Sequence, residues 1–130
     1  FEKSLALAPE NAEALNYLGY MWAEHGENLS RAKDLIQRAL KLEPENDAFL
    51  DSMGWVLFKL GDPKTALPYL EKSVAQLKQP DATVYDHLGD VLAALQQMDK
   101  AREAWAQSLA AEPSDTVREK LKSSERSSPP

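Results

Sequence analysis

The chain has 130 residues, about one domain's worth, with a formal net charge of −6 and no cysteine. This excludes disulfide scaffolds, zinc thiolate sites and thiol catalysis, and it argues against nucleic-acid binding, which uses a basic patch or stripe. Alanine and leucine supply 37 residues, while valine, isoleucine and threonine together supply nine, so helices are favoured over sheets. No apolar run nears the roughly 20 residues of a membrane span, which argues against direct membrane insertion.

In chain order, apolar residues first fall at helical spacing at Leu15, Leu18 and Trp22. A break at Gly26-Glu27-Asn28 precedes a second helix over Leu29–Leu42, closed by Pro44. Asn46 then caps a helix carrying Leu50, Met53 and Leu57. Gly61-Asp62-Pro63 is start chemistry for the next, over Pro63–Leu77: Asp62 is an N-cap, and proline loses no helical bond at the first position. Pro68 lies inside this helix, where it removes the bond to the Lys64 carbonyl and should bend the first turns. Asp81 caps a helix with Leu88, Leu92 and Leu95. Gln96-Gln97 stands where the earlier turns have glycine, and a helix over Met98–Ala111 follows. After Pro113, Ser114 caps a short charged segment with Val117 and Leu121 four apart.

These elements repeat. Leu15-Asn16-Tyr17-Leu18-Gly19, Leu50-Asp51-Ser52-Met53-Gly54 and Tyr85-Asp86-His87-Leu88-Gly89 align with their glycines 35 residues apart. Ala32, Ala66 and Ala101 follow in the same order. Large residues come four later (Ile36, Leu70, Trp105), and small ones three after those (Ala39, Ser73, Ser108). A mid-helix glycine costs about 1 kcal/mol relative to alanine, so Gly19, Gly54 and Gly89 imply that the partner helix crosses there at close range.

The pattern resembles the tetratricopeptide repeat (TPR), whose motif runs W/L-x2-L-G-x2-Y, then A-x3-F-x2-A, then P. The resemblance implies an all-α fold: a right-handed α-solenoid of antiparallel helix pairs with a C-terminal capping helix. It divides the chain into repeats at 12–44, 47–80 and 82–113, a capping helix at 114–122 and a disordered Ser/Pro-rich tail at 123–130. Phe1, Ser4 and Pro9 match the end of the motif, so residues 1–9 read as the second helix of a truncated upstream repeat, and the chain as the C-terminal part of a longer array. The cut edge around Phe1, Leu5 and Leu7 would leave apolar surface uncovered and favour weak self-association. The segment Leu50-Asp51-Ser52-Met53-Gly54-Trp55-Val56-Leu57-Phe58-Lys59-Leu60-Gly61-Asp62 resembles one found in TPR proteins of Gram-negative bacteria, several of them exported lipoproteins. It implies a periplasmic or membrane-associated parent.

The residues carry no constellation for catalysis. His25 and His87 fall two repeats apart, too far to share a metal or a proton relay. Asp86 and Asp90, spaced i,i+4, read as a solvated acidic face rather than a metal pair. No phosphate loop or hydrolase motif occurs, and no cofactor is implied. Asn28-Leu29-Ser30 fits the glycosylation sequon, a tripeptide common by chance.

What remains is a protein-interaction scaffold binding a peptide or partner protein. The alternative is an accessory segment of a larger enzyme or secretion machine whose chemistry lies elsewhere. TPR ligands cluster on the concave side, at the second, fifth, ninth and twelfth positions of each repeat. These are Glu13, Asn16, Tyr20 and Ala23; Ala48, Asp51, Trp55 and Phe58; Thr83, Asp86, Asp90 and Ala93. None is Lys or Arg, which argues against the family's carboxylate-gripping mode. The peptide-binding residues expected are Glu13, Asn16, Tyr20, Asp51, Trp55, Phe58, Asp86 and Asp90. Carboxylates interleaved with aromatics favour a partner carrying Lys or Arg beside apolar anchors; the alternative is that the acids keep an idle surface soluble and the aromatics pack against neighbouring helices. Of the tryptophans, Trp22 and Trp105 occupy packing positions and should be buried. Trp55 lies off the stripe of Leu50, Met53 and Leu57 and should be the most exposed, or at least face the groove.

Overall fold

The computed structural model describes residues 11–127. The expected helix at 1–9, the edge around Phe1, Leu5 and Leu7, and the last residues of the tail lie outside the described residues. Within them are seven helices and no strand: α1 (Ala12–His25), α2 (Leu29–Leu42), α3 (Asp47–Lys59), α4 (Pro63–Gln76), α5 (Ala82–Ala94), α6 (Met98–Ala111) and α7 (Asp115–Ser127). They group into two compact units, one holding α1–α4 and the other α5–α7.

Helix starts follow their capping residues. The Asn11 side chain accepts from the Ala14 N–H at 2.9 Å, Asn46 from Phe49 at 3.1 Å, Asp62 from Thr65 at 3.2 Å and Asp81 from Thr83 at 2.9 Å. Each satisfies an amide that the helix leaves without a partner. Gly26 and Gly61 turn the chain at φ 68° and 87°. In the third turn Gln96 adopts the same left-handed conformation at φ 63°, where a side chain is strained.

In each pair the two helices meet at the small residues. A Cβ on Gly19 would stand 2.7 Å from Ile36 Cγ1 and 2.9 Å from the Ala32 carbonyl oxygen. On Gly54 it would stand 2.6 Å from Leu70 Cγ, and on Gly89 2.3 Å from Trp105 Nε1. Ala32, Ala66 and Ala101 are fully buried opposite. Where the first pair buries Ala39, the others bury serines that bond back to the start of their partner helix. Ser73 Oγ donates to the Asp47 carbonyl at 2.7 Å, and Ser108 Oγ to the Ala82 carbonyl at 2.8 Å. In the first unit Ala12, Leu15, Leu35, Ala39 and Phe49 form a cluster against which Leu18, Trp22 and Leu40 pack.

α3 departs from the expected one-sided stripe. Every residue from Phe49 to Leu57 is buried, because α3 packs against α1 and α2 as well as against α4. A helix enclosed on several sides is buried all round. α4 runs through Pro68 without ending.

The last helix also differs from expectation. It continues to Ser127 rather than giving way to a disordered tail at residue 123. Ser114 Oγ caps its start by accepting from the Val117 N–H at 3.2 Å. Further on, Arg102 donates to the Ser124 carbonyl at 3.3 Å, and Ser124 is only 5% exposed. Packing against α6 thus holds residues that composition alone would leave free.

Candidate interaction surface

The expected contact residues of the first unit lie on α1 and α3, two helices packed against each other. Glu13 is exposed, Tyr20 and Phe58 are half-buried, and Asp51 is buried. Asn16 points its Oδ1 into a buried position with no hydrogen-bond partner. An acceptor left so costs on the order of 1–3 kcal/mol.

Trp55 corrects the sequence reading. It is 7% exposed rather than the most exposed tryptophan. Its indole N–H donates to Glu24 Oε1 of α1 at 3.0 Å, its ring stacks on Phe58 at 5.2 Å, and the Lys59 ammonium lies 4.8 Å above it. Trp22, expected to be buried, is half-buried, with the Arg31 guanidinium 5.0 Å over its ring. The α3–α4 stripe could not show that α1 also covers α3. Glu24 was missed for the same reason: its partner lies 31 residues away.

In the second unit the fate of Asp86 and Asp90 is different again. They do not form an open acidic face. Lys120 of α7 reaches both, with Nζ 2.8 Å from Asp86 Oδ1 and 3.0 Å from Asp90 Oδ1. Asp90 also accepts from the Trp105 indole at 3.3 Å, and Trp105 is 5% exposed as expected. Burial holds the Asp90 carboxyl above its ordinary value, against the opposing hydrogen bond and charge of Lys120. Burial alone would lower Lys120, but its bonds to Asp86 and Asp90 outweigh that and raise it. One ammonium is thus held by two carboxylates, while each carboxylate has only a share of it.

A cleft of about 760 Å³ opens beside this cluster, lined by Met98, Trp105, Thr116, Glu119, Lys120 and Ser123 among others. His87 is buried within the same unit, and His25 is exposed at the end of α1. Among the described residues no three His, Cys, Asp or Glu are placed to hold a metal ion. No helix there is long and apolar enough to cross a membrane.

Repeated helix pairs meeting at glycine and alanine define a class of all-α repeat proteins. The family model for the tetratricopeptide repeat matches residues 1–47 and 52–116, and the chain belongs to that family. Solved structures agree in fold. The crystal structure of MamA is 21% identical with a TM-score of 0.80, over 96% of this chain and 72% of its own. The first TPR domain of the human RPAP3 protein is 20% identical with a TM-score of 0.81, over 92% and 93%. The first TPR of Spaghetti (RPAP3) bound to the HSP90 peptide SRMEEVD is 20% identical with a TM-score of 0.80, over 88% and 90%. No curated protein matches the chain.

Proposed function

We propose that this chain is a protein-interaction module whose first unit takes a peptide on the α1–α3 face, and that the peptide carries Lys or Arg beside an apolar residue. Family membership supports the interaction role, since TPR domains are binding modules, and a structurally similar TPR is bound to a peptide. That peptide is acidic. The expected α1–α3 positions here include exposed Glu13 and buried Asp51 and no Lys or Arg. The observation that carries the reading is the surrounding of Trp55: a carboxylate on its indole N–H at 3.0 Å, Phe58 stacked on one side and a lysine ammonium 4.8 Å from its ring centre. Carboxylate and aromatic face both attract cations, and Phe58 supplies apolar contact. An incoming cation would replace Lys59, which is exposed and costs little to displace.

Because Trp55 is buried, the test uses gentler changes. A displayed library of short peptides selected on the chain should yield sequences with Lys or Arg next to a large apolar residue. Their affinity should fall with salt. Phe58→Ala and Glu24→Gln should each weaken capture about tenfold while leaving helicity intact. Selection of acidic peptides, or capture indifferent to both substitutions, would overturn the reading.

A further inference from the structure

Counted from their caps, α1, α3 and α5 have glycine at the eighth position (Gly19, Gly54, Gly89), where a second helix crosses. α7 has Lys122 there, so it is not shaped to receive a second helix. It touches the rest of its unit through one stripe instead. Val117 is 3% exposed, Leu121 is half-buried and Ser124 is buried, while Asp115, Thr116, Arg118, Glu119, Lys122 and Ser123 remain exposed. In the middle of that stripe Lys120 enters between Asp86 and Asp90. Few apolar contacts and a central charge pair mark a helix that opens locally before its unit unfolds. The cleft floored by Met98 and Trp105 already lies open along one side of it.

We propose that α7 is an in-chain occupant of a docking face on α5 and α6, displaced by an amphipathic helix from a partner protein that presents a lysine or arginine to Asp86 and Asp90. The footprint of α7 defines the partner's chemistry. It presents a lysine for Asp86 and Asp90, an apolar residue three positions before and one after, and a small residue four after, as Val117, Lys120, Leu121 and Ser124 do. Charge complementarity commits the face to a helix that presents a cation at this position, and the half-buried Asp90 carboxylate rewards a cation that is equally desolvated. The proposal shares the premise that first-helix carboxylates of this chain receive cations. The substitutions that decide it lie outside the first unit, whose residues enter only as controls.

The probe is a labelled synthetic peptide of residues 112–124, added to the full chain. Val117→Asp with Lys120→Glu should release α7 while changing no residue of α5 or α6. This variant should bind the peptide at least tenfold more tightly than the unsubstituted chain. A probe with Lys120→Glu, or a released chain also carrying Asp86→Asn and Asp90→Asn, should lose that gain. Equal binding by released and unsubstituted chains, or binding indifferent to the probe's lysine, would overturn the proposal. Should the released chain fail to fold, hydrogen exchange on the unsubstituted chain decides: α7 amides should exchange at least tenfold faster than those in the middle of α5 and α6, and equal rates would refute displacement. A concentration-dependent dimer weakened by Asp86→Asn with Asp90→Asn would give the face to a second copy and also refute the partner assignment. Phe58→Ala and Glu24→Gln should leave probe binding unchanged, so the two readings fail separately.

Discussion

Replacing Gly89 with alanine tests the crossing of α5 and α6 because two effects of opposite sign compete there. Helix propensity alone favours the change by about 1 kcal/mol. Against it, the new Cβ would stand 2.3 Å from Trp105 Nε1, 2.4 Å from Cδ1 and 2.8 Å from Cε2, where ordinary contact begins at 3.4 Å. The indole must move by about an ångström, and it is not the end of a flexible chain. Overpacking of this kind costs about 1–3 kcal/mol, and loss of the bond to Asp90 adds roughly 1.5–3 kcal/mol for a charged acceptor. The net expectation is a loss of about 2–4 kcal/mol. Urea unfolding followed by circular dichroism measures it. The double variant Gly89→Ala with Trp105→Leu should be less destabilised than the sum of its single changes, since the second change removes the obstacle. A Gly89→Ala protein more stable than the original, or strictly additive energies, would refute the reasoning.

Three other expectations follow from the same packing. Trp55→Ala should cost about 3–5 kcal/mol, and Trp22→Ala clearly less because Trp22 is only half-buried; melting temperatures of the two variants give the order. Ser73→Ala and Ser108→Ala should each cost about 1 kcal/mol in denaturant titrations for the lost bond to a helix-start carbonyl. Lys120, raised above 10.5 in the folded state, contributes stability that is complete below pH 10.5 and lost as pH rises through its folded value. Stability should therefore fall more as pH rises above about 10.5 in the original chain than in Lys120→Met. In that variant the Asp90 carboxyl, raised above 3.8 by burial and now without its cation, should move further up by NMR titration.

The helix pairs were legible because their signals are local. Caps, turn glycines, the small-residue crossings and the helical spacing of apolar residues all lie within one pair, and the described helices follow them closely. The site was less legible because its geometry depends on what packs outside the pair. Trp55 reads as surface when only α4 is considered and as interior once α1 is placed beside it. Asp86 and Asp90 read as a free acidic face until α7 delivers Lys120 from 30 or more residues away. The extension of α7 to Ser127 escaped notice because serine and charged residues carry no hydrophobic signal of their own, and the contacts that hold them belong to Arg102 and the backbone.

The serine bonds that tie each second helix to the start of its partner span only 26 residues in both pairs. Loop-closure entropy grows only with the logarithm of length, so no pair needs a long search to meet. Each helix hairpin can form as its own kinetic step, and low contact order places such steps on the order of microseconds to milliseconds. Damage should be equally local. A lesion at Ser108 should lower the opening free energy of α5 and α6 while leaving amide protection in α1 and α2 near its original level, so hydrogen exchange would resolve this chain into separately melting foldons rather than a single cooperative transition.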